Sequence, residues 1–319
     1  MNFVHDDPEF GDLLRIVAGE TRIAPGLVEK DYWVTHTLWA LHDTGFDVWF
    51  KGGTSLSKGF GLIQRFSEDL DLKVLRGTVS ALPLVSNWTS VGARATAERR
   101  AYFAALARLV RVPGAEVAIG EVADKSWRAA DVRVSYPGRH LNDLGSVMKP
   151  FVLLEVGSAR ATPAVRCDMT SFVHNYLIAA TQITSFDDNR PKALRCVHPL
   201  VTLLEKLDAI HRRVPRTDAP AATFVRHFED AARVVHGSAK LPPLSDYVDV
   251  RALADDMVAQ RQLASLPSSS DHAFMPTTGE RWDAIRAAHA AIAPMFWGPR
   301  FTLDDACDAI RGWIAATFE

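Results

Sequence analysis

Residues 67–75, Ser-Glu-Asp-Leu-Asp-Leu-Lys-Val-Leu, alternate between polar and apolar side chains. Because successive side chains of a β-strand point to opposite faces, this pattern predicts a half-buried strand. Leu70 and Leu72 would face the core. Asp69 and Asp71 would share the opposite face, with Cα atoms ~6.5 to 7 Å apart. Any fold of this chain must therefore bury one side of the strand and leave two carboxylates on the other.

A glycine turn lies upstream, between a short apolar stretch and a helical one. Residues 47–51 (DVWFK) predict a strand, which is followed directly by Gly52, Gly53, Thr54 and Ser55. Paired glycines let the backbone approach a ligand closely, and the first turn of a helix offers unpaired N–H groups to a phosphate. The turn is a candidate nucleotide-binding element, with an ordinary turn as the alternative. It is not a P-loop, because GxxxxGK[ST] is absent.

Together, the turn and the two aspartates have the composition of a two-metal phosphoryl-transfer site, with a solvated polar face as the alternative interpretation. Two ions ~3.5 to 4 Å apart can bridge the reacting oxygens, and Mg²⁺ prefers hard oxygen ligands. Glu155 is the candidate third carboxylate, because a charge within the apolar stretch 150–156 is costly unless it is paired or binds metal. An ion pair of Glu155 with Arg166 or Lys149 is the alternative, and Asp168 is the competing third carboxylate.

Composition limits the class of protein. The 319 residues are 48% apolar, enough for one large domain or two modest ones, and no stretch approaches the ~20 apolar residues of a membrane span. A formal net charge of -2 excludes a global field that would attract nucleic acid or an anionic membrane. Three cysteines without CxxC spacing argue against a zinc site or a disulfide framework. Without a recognisable signal peptide, the chain is expected in the cytoplasm.

The predicted elements divide the chain near residue 197. We expect an α+β fold in which a mixed sheet of five or six strands with flanking helices occupies residues 1–197, and a helical domain occupies residues 198–319. In the first part the sequence predicts helices within 10–45, 56–63 and 85–112, and strands at 47–51, 67–75, 131–136, 150–156, 164–168 and 178–184. In the second it predicts helices at 199–210, 221–235, 249–265, 280–294 and 303–317.

Two charged residues of the helical part could add to a nucleotide site. Lys206 interrupts the apolar stripe of the helix that begins at Pro199, and a cation there could meet a triphosphate. Asp230 lies on the next helix. Considered alone, Lys206 is typical of a surface lysine and Asp230 of an ion pair between helices.

Several stretches resemble the AbiEii/AbiGii toxin family of nucleotidyltransferases, which belong to the DNA polymerase β-like superfamily. They are Val28-Glu-Lys-Asp-Tyr-Trp-Val34, Gly52-Gly-Thr-Ser-Leu-Ser-Lys58, Arg65-Phe-Ser-Glu-Asp-Leu-Asp-Leu72, and Leu204-Glu-Lys-Leu207 followed by Arg226-His-Phe-Glu-Asp230. The tail at 293–310 is also similar, so the resemblance covers nearly the whole chain.

The resemblance implies a polymerase β-like fold and a role for each motif. Gly52, Gly53 and Thr54 would form the nucleotide-binding turn, and Ser67 would lie near the triphosphate. Asp69 and Asp71 would ligate two Mg²⁺ ions, and Lys206 and Asp230 would complete the active site.

The implied activity is transfer of a nucleoside monophosphate from an NTP to an RNA acceptor, with the 3′ end of tRNA as the expected target, by a toxin that has a cognate antitoxin. Asp71 or Glu155 would act as the base. Transfer to a small molecule or a protein hydroxyl remains an alternative, as does a non-catalytic NTP-binding regulatory module. The candidate RNA contacts, which could also be solvated faces, are His211, Arg212, Arg213 and Arg216, and the helix with Arg94, Arg99, Arg100, Arg108 and Arg111.

Overall fold

The computed structural model describes residues 2–67, 69–122, 125–144 and 148–319. The chain forms two compact units. The first comprises Met1–Gly59, Ser67–Ala161 and Arg166–Cys196, and the second comprises Phe60–Phe66, Thr162–Val165 and Val197–Glu319. That residues 1–197 and 198–319 are separate domains stays a prediction.

One mixed sheet runs through the first unit, with strand order β3-β4-β5-β2-β1-β7-β6. The central strand β2 is antiparallel to β1 and parallel to β5, and β4 is antiparallel to both β3 and β5. Within the described residues the strands are β1 (Asp47–Lys51), β2 (Asp69–Leu75), β3 (Glu116–Val122), β4 (Ala129–Ser135), β5 (Val152–Gly157), β6 (Ala164–Cys167) and β7 (Leu194–Val197). The expected α+β class is confirmed, with seven strands instead of five or six.

Helices flank this sheet and make up most of the second unit. The described residues include α1 (Phe10–Thr21), α2 (Pro25–Asp43), α3 (Gly52–Lys58), α4 (Ala93–Leu109), α5 (Phe172–Ala179), α6 (Pro199–Arg213), α7 (Arg226–His236), α8 (Val250–Ala259), α9 (Glu280–Ala291) and α10 (Leu303–Phe318). None of the helices in this described part combines the length and apolar character needed to cross a membrane.

Three consecutive charged residues attach α2 to the rest of the first unit. Glu29 is fully buried and accepts two backbone N–H groups from the loop after β4. Lys30 donates from Nζ to the carbonyl of Lys149 at 2.8 Å. Asp31 forms an ion pair with Lys58 of α3, with 2.6 Å between Oδ1 and Nζ. Because each charge has a partner, α2 fixes the loop before β5 and the helix after β1.

The prediction of a strand at 178–184 is wrong. The hydroxyl of Ser171 accepts the N–H of His174, which caps the first turn of a helix. Val173 and Leu177, four residues apart, then bury one face of α5. The remainder of the segment is a single 3-10 turn at 183–185.

Several predicted helices are shorter than expected; the helix expected at 221–235, for example, is α7, which begins at Arg226. The side chain of Asn87 accepts the N–H groups of Thr89 and Ser90, and this turn delays the start of α4 until after Gly92. The helix expected at 56–63 ends at Lys58. The helix expected at 249–265 is α8, which ends at Ala259.

Candidate active site

Strand β2 has the alternation that its sequence predicts. Leu70 and Leu72 are buried in the core. Asp69 and Asp71 are half-buried on the opposite face. The two carboxylates therefore emerge from one side of the sheet.

Strand register places more charged groups beside Asp71. It pairs with Glu155 of β5 on one side and with Lys51 of β1 on the other. Glu155 in turn pairs with Asp131 of β4. Directly paired residues project to the same face of a sheet, so these four side chains form one row across four adjacent strands. This acidic row, Lys51, Asp71, Glu155 and Asp131, lines an open cleft of about 500 Å³.

Asp131 was not among the residues singled out from the sequence. The alternation of residues 129–135 puts it on the polar face of β4, and that signal could have identified it as a candidate. What the sequence does not contain is the register between β4 and β5, which brings Asp131 next to Glu155.

The negative charges perturb one another. Partial removal from water, and then the charges of Asp69, Asp71 and Asp131, raise the pKa of Glu155 to about 7. Desolvation and the charge of Asp69 likewise raise the pKa of Asp131. The ammonium of Lys149, 3.7 Å from Asp69 Oδ1, offsets only part of this repulsion. A bound cation would relieve it.

The structure also shows the contacts of the residues considered as ion-pair partners of Glu155, Arg166 and Lys149, and of the competing carboxylate Asp168. Arg166 donates to the carbonyl of Ala193, and Lys149 Nζ lies 3.7 Å from Asp69 Oδ1. Asp168 accepts the N–H of Ala193 at 2.8 Å at the end of β6. The acidic row therefore contains Glu155 and not Asp168.

The glycine turn lies against the aspartates. Gly52 has a φ of +75°, a conformation that favours glycine. A β-carbon at position 52 would lie 2.8 Å from Asp71 Cγ and closer still to Oδ2. Thr54 donates from Oγ1 to the carbonyl of Asp69 at 2.8 Å. Both contacts join the first turn of α3 to the beginning of β2.

The other predicted nucleotide-binding residues differ in accessibility. Gly53 is buried in the first turn of α3. The hydroxyl of Ser55 is buried beside the Cys196 thiol, so only the backbone of Ser55 could serve a ligand. Ser67 is half-buried and lies two residues before Asp69.

The donor set fits magnesium, although the side chains do not converge as a finished site. Among the described residues, no group of three His, Cys, Asp or Glu side chains is close enough to hold a metal ion. Mg²⁺, however, usually keeps several waters and takes only one or two carboxylates from the protein. Asp69 Oδ1 is buried and accepts no hydrogen bond from the described residues. A carboxylate oxygen without a hydrogen bond, with Lys149 Nζ no closer than 3.7 Å, is a suitable ligand. The two predicted Mg²⁺ ions stay a prediction.

The remaining predicted residues form a separate cluster in the second unit. The Arg65 guanidinium makes two hydrogen bonds of 2.7 Å to the carboxylate of Asp230. Lys206 Nζ lies 2.8 Å from Asp230 Oδ2 and 3.4 Å from His227 Nδ1. Burial alone would raise the pKa of Asp230, but Arg65 and Lys206 outweigh it and hold that pKa far below its usual range. Lys206 and Asp230 thus form a buried ion pair between α6 and α7.

Glu229, the residue before Asp230, binds the tail segment that precedes α10. Glu229 is fully buried and accepts hydrogen bonds from Arg300 Nε at 2.9 Å and from the N–H of Phe301 at 3.3 Å. His289 lies 3.5 Å from the same carboxylate. The segment before α10 is therefore attached to α7 through one buried acid.

Comparison with known proteins identifies the family. The family model described as nucleotidyl transferase AbiEii toxin, of a type IV toxin–antitoxin system, matches residues 40–304. The chain belongs to the AbiEii family. The AbiEii model covers β1 with the glycine turn, the acidic row, and the buried ion pair of α6 and α7, so each lies within the part of the chain that defines membership. The expected family is confirmed, and with it a nucleotidyltransferase toxin class.

Other comparisons add little to this. A crystal structure titled JHP933 from Helicobacter pylori is similar at 13% identity, covering 89% of this chain and 92% of its own, with a TM-score of 0.36. A similarity at that TM-score supports no conclusion about this chain. No curated protein matches the sequence.

Proposed function

We propose that this AbiEii-family chain transfers a nucleoside monophosphate from an NTP to a hydroxyl of an RNA acceptor, with the 3′ end of tRNA as the target. It would act in the cytoplasm as a toxin restrained by a cognate antitoxin. The observation that carries the proposal is the acidic row beside the glycine turn: Asp71 lies between Glu155 and Lys51 and touches Gly52.

Asp69 and Asp71 are the proposed ligands of two Mg²⁺ ions, with Glu155 as the third carboxylate. Bound there, the ions would neutralise charge on the triphosphate and on the leaving pyrophosphate. The backbone N–H groups at the start of α3, from Gly52 to Ser55, would bind phosphate oxygens, and Ser67 would lie close by.

The reaction forms a bond from the acceptor oxygen to the α-phosphorus and breaks the bond from that phosphorus to pyrophosphate. The acceptor proton needs a base with a pKa near the working pH. Glu155, paired directly with Asp71 in the row, is the proposed base, and Asp71 is the alternative. Lys206, held by Asp230, is also proposed to bind the triphosphate.

The test is incubation with tRNA, Mg²⁺ and each of the four NTPs labelled at the α-phosphate. We expect label on tRNA with at least one NTP, and no label with Asp71→Asn. The matched control is Asp168→Asn, an exposed aspartate outside the acidic row, which should retain transfer. Label on a low-mass product or on protein would contradict the RNA acceptor. NTP affinity that survives Asp69→Ala combined with Asp71→Ala, without any transfer, would indicate a regulatory module instead.

A further inference from the structure

The arginines that the sequence offered as RNA contacts differ in the structure. Arg99 is fully buried and donates to three backbone carbonyls, so it is structural. Arg212 forms an ion pair with Asp208 at 2.6 Å, and Arg216 forms one with Asp218 at 2.7 Å. These three guanidinium groups already have partners.

Arg213 and Arg226 are different, because no carboxylate of the described residues lies at ion-pair distance from either. Arg213, exposed at the end of α6, approaches only the carbonyl of Thr223, at 3.5 Å. Burial, and then the positive charges of Arg212, Arg226 and Arg216, lower the pKa of Arg213. Cations gathered without counterions repel one another, and an anion would relieve that repulsion.

Lys206, which is buried, lies on the same helix as Arg213 and adds to the positive charge of this region. Lys206 and Arg213 lie seven residues apart on one face of α6, a separation of about 10 Å. Arg226 lies one turn before Asp230 on α7. Burial, and then the charge of Lys206, hold the pKa of His227 well below its usual value, so His227 is neutral. Because an ammonium group can only donate, His227 Nδ1 accepts from Lys206 and the ring N–H is at Nε2.

We propose that His227, Arg226 and Arg213 form a basic stripe that begins beside Lys206 and binds successive phosphates of the RNA acceptor, an inference that rests on the proposed function. The stripe runs from buried Lys206 to exposed Arg213, so its outer end is open to a polymer. Guanidinium groups bind phosphate oxygens in pairs, and a stripe of about 10 Å reaching the surface fits a chain of phosphates better than a single anion.

The test compares two double variants that remove the same charge. Arg213→Ala with Arg226→Ala removes the outer stripe, and Arg212→Ala with Arg216→Ala removes two arginines that are already paired. Binding of unfractionated tRNA is measured by fluorescence anisotropy between about 50 and 200 mM salt. We expect the stripe variant to bind at least about tenfold more weakly, and its log–log salt slope to fall by about 1 to 2, since each lost phosphate contact removes about 0.7 to 0.9. The paired-arginine variant should keep the wild-type slope, and melting curves check that both variants are folded at the assay temperature.

Equal loss in the two double variants would show a general charge effect and overturn the stripe, as would wild-type protein that does not bind tRNA. The stripe could instead bind the phosphates of a nucleotide, and calorimetry with inorganic tripolyphosphate distinguishes this case. If the Arg213→Ala, Arg226→Ala variant binds tripolyphosphate more weakly but binds tRNA as the wild type does, the proposed RNA-binding stripe is wrong. None of these measurements requires catalysis. A wild-type protein that binds tRNA but transfers nothing would therefore contradict the proposed function and leave the stripe intact.

Discussion

The Asp71 carboxylate lies so close to Gly52 that no other residue fits at position 52 without displacing it. A β-carbon there would be 2.8 Å from Asp71 Cγ, and the φ of +75° already favours glycine. This contact joins the glycine turn to the paired aspartates. Sequence analysis identified the two motifs but not the contact between them.

Gly52→Ala should abolish most transfer activity. The new methyl group would push the Asp71 carboxylate out of position, and a misplacement of about 1 Å can cost about 10²-fold in rate. The positive φ adds about 1–2 kcal/mol of strain. Gly61→Ala is the control, because Gly61 also has a positive φ, +62°, but open space around the added carbon. Label transfer measures the activity of each variant, and urea unfolding measures its stability. We expect Gly61→Ala to lose a similar amount of stability but to keep normal activity. Equal activity of the two variants would contradict the contact between Gly52 and Asp71.

Asp69→Asn and Asp71→Asn should lower transfer by at least about 10²-fold, because metal ligation supplies several kcal/mol of transition-state stabilisation. Stability should be unchanged or slightly higher, since each change removes one of several like charges from one face of the sheet. Melting curves recorded beside the label-transfer assay separate the two effects. A collapse of the melting temperature in either variant would mean that these carboxylates hold the fold together.

Glu155 should make the metal-free protein less stable as pH rises. Its folded pKa of about 7 lies above the unfolded value of 4.5, so the folded state holds the extra proton between these values and loses this advantage as pH passes 7. The side chain is more than a third exposed, and solvent screening reduces the effect to on the order of 1 kcal/mol. Denaturant titrations at pH 5 and pH 8 should show Glu155→Gln more stable than wild type only at the higher pH. Parallel pH profiles would refute the raised pKa.

Asp230→Ala and Lys206→Met should separate stability from activity. Removing Asp230 leaves Arg65 and Lys206 buried without their counterion, which typically costs about 3–5 kcal/mol. Lys206→Met keeps the bidentate pair of Arg65 with Asp230, so its unfolding free energy should change by less than about 1 kcal/mol.

Nucleotide transfer should nevertheless fall in Lys206→Met, with weaker NTP binding by calorimetry. Unchanged kinetics would reduce Lys206 to a structural partner of Asp230. An Asp230→Ala protein as stable as wild type would show that the ion pair matters little to the fold.

The local sequence pattern predicted the face of β2 that carries the aspartates, but it did not predict how the strands pair. The alternation of β2 predicted correctly which side Asp69 and Asp71 occupy, because a strand has a fixed period of two. The third carboxylate stayed open between Glu155 and Asp168 because strand register depends on pairing between distant segments, and Asp131 was missed for the same reason. The strand expected at 178–184 is wrong because the helix capped by Ser171 extends to Ala179, and a 3-10 turn follows at 183–185.

The acidic row draws on β1, β2, β4 and β5, so its members stand at positions 51, 71, 131 and 155 of the chain. A ribosome that has released the first hundred residues has therefore made Lys51, the glycine turn and both aspartates of β2, but neither Asp131 nor Glu155. The half-made protein therefore lacks the assembled row, which can form only after β5 has been synthesised.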